Sequence, residues 1–252
     1  MIYFVGAGCG AADLITVRGA ELLKQADAIV YAGSLVNPAL LDYARPGCET
    51  HNSALMTLEE VVQVMEAMER RGKRTVRLHT GDPCVYGAIR EQMDRLEALG
   101  IPYEICPGVS SFCGAAAALK AEYTLPQVSQ SVILTRMAGR TPVPERESIR
   151  SLAAHRATMV VFLSAGLTRP LQEELLAGGY EAATPAAIVY KATWPQERVA
   201  RCTVGTLHET AVQSGIANHA LITVGDFLGD DYALSKLYDP AFTTAFRQGD
   251  GA

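Results

Sequence analysis

Short apolar runs alternate along the chain with stretches in which apolar residues recur every three or four positions. The first pattern predicts strands, and the second predicts helices that bury one face. Residues 57–60 have the spacing of a capping box, and Val61 and Met65 continue one apolar stripe behind it. Thr16 and residues 206–209 carry similar signals for the start of a helix.

The strands and helices predicted in this way alternate through the chain. Strands are expected at residues 2–5, 28–31, 75–78, 103–105, 131–135, 159–163, 187–190, 198–203 and 221–224. Helices are expected at residues 17–25, 58–71, 88–99, 115–119, 148–154, 170–176 and 207–212. Strands separated by helices indicate parallel βαβ units and the α/β class. The pattern restarts after a loop, so we expect an N-terminal α/β domain over 1–120, a linker over 121–130 and a C-terminal α/β domain over 131–252.

The composition fits a folded protein and disfavours several classes of function. The chain has 252 residues, is 49% hydrophobic and carries a net charge of −5, which is not typical of a nucleic-acid binder. No apolar stretch is long enough for a membrane helix, and Met1 leads directly into a strand, so we expect a cytoplasmic protein with no membrane partner. The six cysteines form no C-x-x-C pair, which indicates free thiols and no metal site.

The first predicted strand leads into Gly6-Ala7-Gly8-Cys9-Gly10-Ala11, which has the spacing of a dinucleotide-binding loop. In that fold the helix begins at the last glycine, and a carboxylate ends the second strand. Here residues 13–15 separate the loop from Thr16, and the second strand ends without a carboxylate. A dinucleotide-dependent oxidoreductase therefore stays an alternative that rests on this loop alone.

Four predicted strand ends are rich in glycine, serine and aspartate. They are residues 6–10, 80–87, 107–111 and 163–166. Open α/β sheets bind ligands at the carboxyl ends of their strands, and small residues there let the backbone approach a ligand closely. We therefore expect a ligand site at these loops.

Several of these segments resemble one known family. GAGCGAADLITVRGAELL, RLHTGDPCVYGAI and EICPGVSSFCGAAAAL are similar to segments of the tetrapyrrole (corrin and sirohaem) methyltransferases, and the resemblance covers nearly the whole chain. VILTRMAGRTPVPERE, IVYKATWPQERVARCTVGTL and SKLYDPAFTTAFR resemble the branch that methylates carbon 11 of precorrin-4, or of its cobalt form, in cobalamin biosynthesis.

The resemblance implies two α/β domains with the active-site trough between them, a homodimer, S-adenosylmethionine as methyl donor and a tetrapyrrole substrate. The cofactor residues it implies are Gly81, Asp82, Val85, Tyr86, Ser110, Ser111, Leu163, Ala192, Ala220 and Leu221. The expected substrate residues are Gly8, Cys9 and Gly10, which line the trough, and the cations Arg18, Arg136, Arg140 and Lys191, which suit carboxylates.

The resemblance assigns no catalytic residue. Many relatives carry Gly-Asp-Pro in the first loop, whereas this chain has Cys9-Gly10-Ala11-Ala12 and therefore no aspartate at that position. Asp13 and His79 are the candidates for a proton acceptor. Two further functions stay open: methylation of another tetrapyrrole or ring carbon, and non-catalytic carriage of a tetrapyrrole.

Overall fold

The computed structural model describes residues 1–250, so the last two residues of the predicted C-terminal domain lie outside it. The chain forms two compact units. The first holds Met1–Ala118 together with Lys191–Arg198, and the second holds Leu119–Tyr190 and, within the described residues, 199–250. The sequence pattern had given no sign that residues 191–198 belong with the first unit.

The first unit is built on a parallel sheet of five strands in the order β3-β2-β4-β1-β5. The strands are β1 (Ile2–Gly6), β2 (Ala28–Tyr31), β3 (Glu49–Asn52), β4 (Thr75–His79) and β5 (Tyr103–Cys106). The pattern missed β3 because its residues Glu-Thr-His-Asn are polar, as the outermost position of that strand allows. The parallel arrangement brings the carboxyl ends of all five strands to one edge.

Four helices accompany this sheet: α1 (Val17–Lys24), α2 (Leu58–Arg70), α3 (Arg90–Ala98) and α4 (Ser111–Leu119). Thr16 caps α1 by accepting a hydrogen bond from the Gly19 N–H, and the capping box at Thr57 and Glu60 is confirmed. The helices bury two apolar layers. One contains Val5, Ile29 and Leu78, and the other contains Phe4 and Met65.

The second unit is built on another sheet of five strands, in the order β6-β7-β10-β8-β9. The strands are β6 (Val132–Arg136), β7 (Thr158–Phe162), β8 (Pro185–Tyr190), β9 (Arg198–Thr203) and β10 (Ala220–Val224). Only the β6–β7 pair is parallel among the pairings with a defined register, because β10 runs antiparallel to both β7 and β8. The expectation of parallel units throughout is therefore wrong for this sheet.

Three helices cover a core around Val161, Leu175 and Ile222 in the second unit. They are α5 (Ile149–Ala153), α6 (Thr168–Gly178) and α7 (Leu207–Gln213). The capping box predicted at residues 206–209 is wrong. Thr206 makes no side-chain cap for α7, and its hydroxyl instead completes a box with Thr203 around a short 3-10 turn.

Residues 1–250 contain neither a membrane-spanning helix nor a cluster suited to a metal ion. None of the helices in this range combines the length and the low polarity that crossing a membrane requires. Within the same range, no cluster of three histidine, cysteine, aspartate or glutamate side chains has a spacing suited to a metal ion.

Candidate active site

The glycine loop after β1 is joined to the loop after β4 by backbone hydrogen bonds. Gly8 and Gly81 pair in both directions, with N···O distances of 3.2 and 2.9 Å, and the Ala7 N–H donates to the His79 carbonyl at 2.7 Å. Gly8 has a φ of +83°, and a Cβ there would lie 2.7 Å from the Leu14 carbonyl oxygen. The loop therefore needs glycine in order to fold against its own chain.

Three glycines let the loops after β1, β4 and β5 touch through their backbones. A Cβ on Gly6 would lie 2.5 Å from the Gly108 Cα, and a Cβ on Gly108 would lie 2.3 Å from the Gly81 carbonyl oxygen. After the loop, the chain forms a short 3-10 turn at Ala12–Leu14, and α1 begins only at Val17. The helix start that a pyrophosphate site needs at the last glycine is therefore displaced by several residues.

Asp82 ties the loop after β4 to the loop after β5. One carboxylate oxygen accepts from the Cys84 N–H and the other accepts from the Gly108 N–H, both at 2.8 Å. Partial burial acts to raise the pKa of Asp82, but the hydrogen bonds from Cys84 and Gly108 outweigh it and lower the pKa below its usual value. The ionised carboxylate thus holds the two loops in register.

Residues 191–197 form a tight turn that packs on the glycine loop. The Ala11 N–H donates to the Thr193 hydroxyl oxygen at 2.9 Å, and the Thr193 N–H donates to the Glu197 carboxylate at 2.6 Å. A Cβ on Gly10 would lie 2.3 Å from the Ala192 carbonyl oxygen. The Asn37 amide, after β2, holds the other side of the loop by donating to the Gly10 carbonyl at 2.9 Å.

Backbone strain occurs at two of the predicted ligand loops and at the turn that packs on the glycine loop. Among residues 1–250, nine non-glycine residues have a positive φ. Tyr86 and Leu163 lie in predicted ligand loops, Lys191 and Thr193 lie in the 191–197 turn, and five lie elsewhere: Ala88, Lys120, Gln127, Arg156 and His219. Such conformations cost about 1–3 kcal/mol each and persist where the surroundings impose them, often at functional sites. The strain at Tyr86 and Leu163 therefore fits a site at their loops, while the strain elsewhere has other causes.

The two candidates for a proton acceptor lie in different surroundings. Asp13 is exposed in the 3-10 turn that follows the glycine loop. His79 is 3% exposed and stacks on Phe4 with 6.0 Å between ring centroids, in the layer that packs against α2 and α3. Burial, helped by Arg77, lowers the pKa of His79 to about 3. The neutral ring is better explained as part of the core than as a base facing a ligand.

The four cationic residues predicted to bind substrate differ in exposure and in hydrogen bonding. In the first unit Arg18 is exposed on α1, and the Lys191 ammonium lies 5.0 Å from the centre of the Trp194 ring. In the second unit Arg136 donates to the carbonyls of its own loop, Met137, Thr141 and Pro142, at 3.1, 3.3 and 2.8 Å. Arg140 lies in that same loop and is exposed. The fold thus occupies Arg136 and leaves Arg140 available.

The remaining cofactor candidates fall in both units. In the first unit Ser110 is buried, Ser111 begins α4, and Val85 and the exposed Tyr86 follow Asp82. In the second unit, Leu163 directly follows β7. Ala220 and Leu221 begin β10, which runs beside β7 in the opposite direction. The structure thus brings Gly8, Gly81 and Asp82 together in the first unit. In the second unit, Leu163 and Ala220 lie at the same end of two adjacent strands.

Comparison with known proteins identifies the family. The sequence model of the Tetrapyrrole (Corrin/Porphyrin) Methylases matches residues 1–208, more than half of the chain. The chain is a tetrapyrrole methylase. Relatives of this tetrapyrrole methylase include a cobalt-precorrin-4 C(11)-methyltransferase of Methanocaldococcus jannaschii, 49% identical over 98% of this chain and 96% of the relative. A precorrin-4 C(11)-methyltransferase of Pseudomonas aeruginosa is 44% identical over 99% of both chains.

Solved structures agree with the sequence relatives. A cobalt precorrin-4 methyltransferase of cobalamin biosynthesis has a TM-score of 0.89 and 48% identity, covering 91% of this tetrapyrrole methylase and 96% of that chain. A uroporphyrin-III C-methyltransferase from Thermus thermophilus in complex with S-adenosylhomocysteine has a TM-score of 0.76 and 27% identity, covering 90% and 92%. The predicted α/β fold and the predicted family are both confirmed.

Sequence reasoning missed three residues that shape the glycine loop of this tetrapyrrole methylase: Asn37, Thr193 and Trp194. Thr193 lies 182 positions from its hydrogen-bond partner Ala11, and no local pattern connects them. One signal was available in the quoted segment Tyr-Lys-Ala-Thr-Trp-Pro, which holds the only tryptophan of the chain.

Proposed function

We propose that this protein transfers a methyl group from S-adenosylmethionine to carbon 11 of precorrin-4, or of its cobalt form, in cobalamin biosynthesis. The observation that carries the proposal is the identity of 44–49% over nearly the whole chain to enzymes named for that reaction. The products are the corresponding precorrin-5 and S-adenosylhomocysteine.

Exposed apolar side chains at the predicted cofactor loops support binding of the methyl donor. Tyr86 and Val109 in the first unit are 45% and 36% exposed, and Leu163 in the second unit is 64% exposed. Large apolar side chains exposed at strand ends suit contacts with a ligand that has apolar parts, such as a purine ring, and strained backbone holds Tyr86 and Leu163 there. The residues present therefore fit S-adenosylmethionine.

The bound donor would supply a methyl group already activated by its sulfonium. The protein's own residues then have to orient the reactants and keep water out, without a nucleophile or a metal. Asp82 holds the loops after β4 and β5 together through the Cys84 and Gly108 amides. The glycine loop is held by close backbone packing, of Gly8 on Leu14 and of Gly10 on Ala192, and it is the segment proposed to face the macrocycle.

Peripheral carboxylates of the substrate need cations. Arg140 is exposed and has the geometry for paired hydrogen bonds to a carboxylate, and Arg18 and Lys191 add positive charge in the first unit. Asp13 is the proposed acceptor of the proton lost near the methylated carbon, because it is exposed and lies next to the glycine loop.

A second candidate keeps the cofactor and changes the acceptor. The fold similarity to a uroporphyrin-III methyltransferase favours it over functions outside the family, although the identity of 27% is well below that of the precorrin-4 relatives. The position of the transferred methyl group separates the two candidates.

The direct test incubates the purified protein with S-adenosylmethionine carrying a labelled methyl group and with precorrin-4 or cobalt-precorrin-4. We expect label in the macrocycle and one equivalent of S-adenosylhomocysteine per methyl group. Absence of label in the macrocycle, while a control tetrapyrrole methyltransferase transfers it under the same conditions, would refute the proposal.

A homodimer, a cytoplasmic location and the domain boundaries near residues 120 and 131 remain part of this proposal. The C-terminal segment supports the dimer, since Leu234, Leu237, Tyr238 and Phe246 are 83%, 63%, 85% and 101% exposed in the single chain. Sedimentation equilibrium should give twice the chain mass of 27.0 kDa. A mass of one chain would remove the dimer from the proposal.

A further inference from the structure

We propose that Thr193 is a positioning residue whose hydroxyl holds the glycine loop in the conformation that receives the tetrapyrrole. The inference rests on the proposed function and deepens it, because it names a residue that determines how the substrate is seated.

The Thr193 hydroxyl uses both its acceptor and its donor on the glycine loop. Its oxygen accepts from the Ala11 N–H at 2.9 Å, and the hydroxyl donates to the Cys9 sulfur with an O···S distance of 3.8 Å. Cys9 and Ala11 flank Gly10, so a single hydroxyl holds the loop on both sides of that residue. Asn37 also holds this stretch, by donating to the Gly10 carbonyl at 2.9 Å.

The backbone of Thr193 indicates that its side chain is needed. Its φ of +65° is rare for a β-branched residue, and glycine would adopt this conformation without strain. The Glu197 carboxylate stabilises the strained turn by accepting from the Thr193 N–H at 2.6 Å. Threonine is poorly suited to this backbone conformation. The hydrogen bond that its hydroxyl accepts from Ala11 explains why the position is occupied by threonine and not by glycine.

The contact at Gly10 gives this hydrogen bond a consequence for binding. A Cβ on Gly10 would lie 2.3 Å from the Ala192 carbonyl oxygen and 2.4 Å from Cδ1 of Trp194. The loop predicted to bind substrate therefore rests directly on the turn that contains Ala192, which is predicted to bind cofactor. Thr193 sets the loop relative to that turn, so losing its hydroxyl should disturb substrate binding more than cofactor binding.

The test compares Thr193→Val, which keeps the side-chain shape, with Thr193→Ser, which keeps the hydroxyl. Thr193→Val should raise the KM for the tetrapyrrole about tenfold, the equivalent of about 1.4 kcal/mol. We expect it to change the Kd for S-adenosylhomocysteine less than twofold. Thr193→Ser should restore the KM, and Thr124→Val, at an exposed position of the second unit, should behave as the unchanged protein.

Two further measurements keep the test decisive if Thr193→Val folds poorly or if methyl transfer is absent. Thr193→Gly removes the hydroxyl while relaxing the positive φ, so it should fold well and show the same rise in KM. Amide hydrogen exchange over residues 8–12 should be faster in both variants without the hydroxyl, whether or not the protein is active.

Exchange that stays at the wild-type rate overturns the positioning role. So does an unchanged KM, a parallel rise in KM and in the Kd for S-adenosylhomocysteine, or failure of Thr193→Ser to restore binding. A wild-type protein that transfers no methyl group would instead refute the proposed function, and the exchange comparison would still decide the role of Thr193.

Discussion

Ionisable side chains near the predicted loops divide into those that the fold uses and those that it leaves exposed. Asp82, Arg136 and His79 are held by backbone groups or by the core, whereas Asp13 and Arg140 are exposed. The family resemblance places Asp82 at the cofactor, and in the structure its carboxylate accepts from the backbone N–H groups of Cys84 and Gly108. The sequence could not show that Arg136 is hydrogen-bonded while Arg140 is exposed. That difference depends on the positions of three loop carbonyls, which the fold alone determines.

Burial of His79 predicts a pH-dependent stability. Its folded-state pKa, about 3, is below the ordinary 6.5, so the unfolded chain binds more protons between these values. The contribution of neutral His79 is therefore present above pH 6.5 and is lost as the pH falls towards 3. Urea unfolding from pH 7 to pH 4 should show a shallower loss of stability in His79→Phe than in wild type. Equal slopes would mean that His79 is accessible to protons in the folded state.

Arg140 should bind a substrate carboxylate because it is exposed in a loop where Arg136 is already occupied. Arg140→Ala should raise the KM for the tetrapyrrole at least tenfold, since hydrogen bonds to charged groups contribute roughly 1.5–3 kcal/mol and about 1.4 kcal/mol corresponds to tenfold. Steady-state kinetics would measure this change, with Arg146→Ala as the matched control at another exposed arginine. Arg136→Ala should instead lower the thermal stability. An unchanged KM in Arg140→Ala would show that this side chain is only solvated.

At the scale of elements, apolar periodicity predicted most strands and helices but not how the strands pair. β3 was missed because its polar residues lack the apolar pattern, and β10 runs antiparallel in a sheet expected to be parallel. Direction and pairing depend on contacts between distant segments, which the local pattern does not record. The four glycine-rich strand ends were predicted, yet the direct contact of Gly6, Gly81 and Gly108 follows only from the parallel strand order.

Because these three loops touch through their backbones, adding one methyl group at Gly108 should lower the stability of the protein. Gly108→Ala would place a Cβ 2.3 Å from the Gly81 carbonyl oxygen, so the loops after β4 and β5 have to separate. We expect a loss of about 1–3 kcal/mol in stability, as for other overpacked sites. Chemical denaturation would measure it. Gly139→Ala is the control, since its Cβ would meet only the Leu167 side chain at 3.4 Å. Equal stability of the two variants would contradict the backbone packing.

At the scale of the whole molecule, the predicted cofactor residues are shared between two compact units. Asp82 and Ala192 belong to the first, and Leu163 and Leu221 belong to the second. Residues 191–198 also belong to the first unit although the strands on either side of them, β8 and β9, are part of the second sheet. A trough between the units, as the family resemblance implies, stays a prediction. The reaction assigned to the molecule depends on where the methyl group goes.

The position of the transferred methyl group tests this assignment most directly. The protein would be supplied with S-adenosylmethionine carrying carbon-13 in its methyl group and with precorrin-4 or its cobalt form, and the product would be examined by carbon-13 NMR. We predict a single new methyl signal, correlated to carbon 11 of the macrocycle. A labelled methyl group on any other ring carbon would contradict the assignment to precorrin-4 C(11)-methylation.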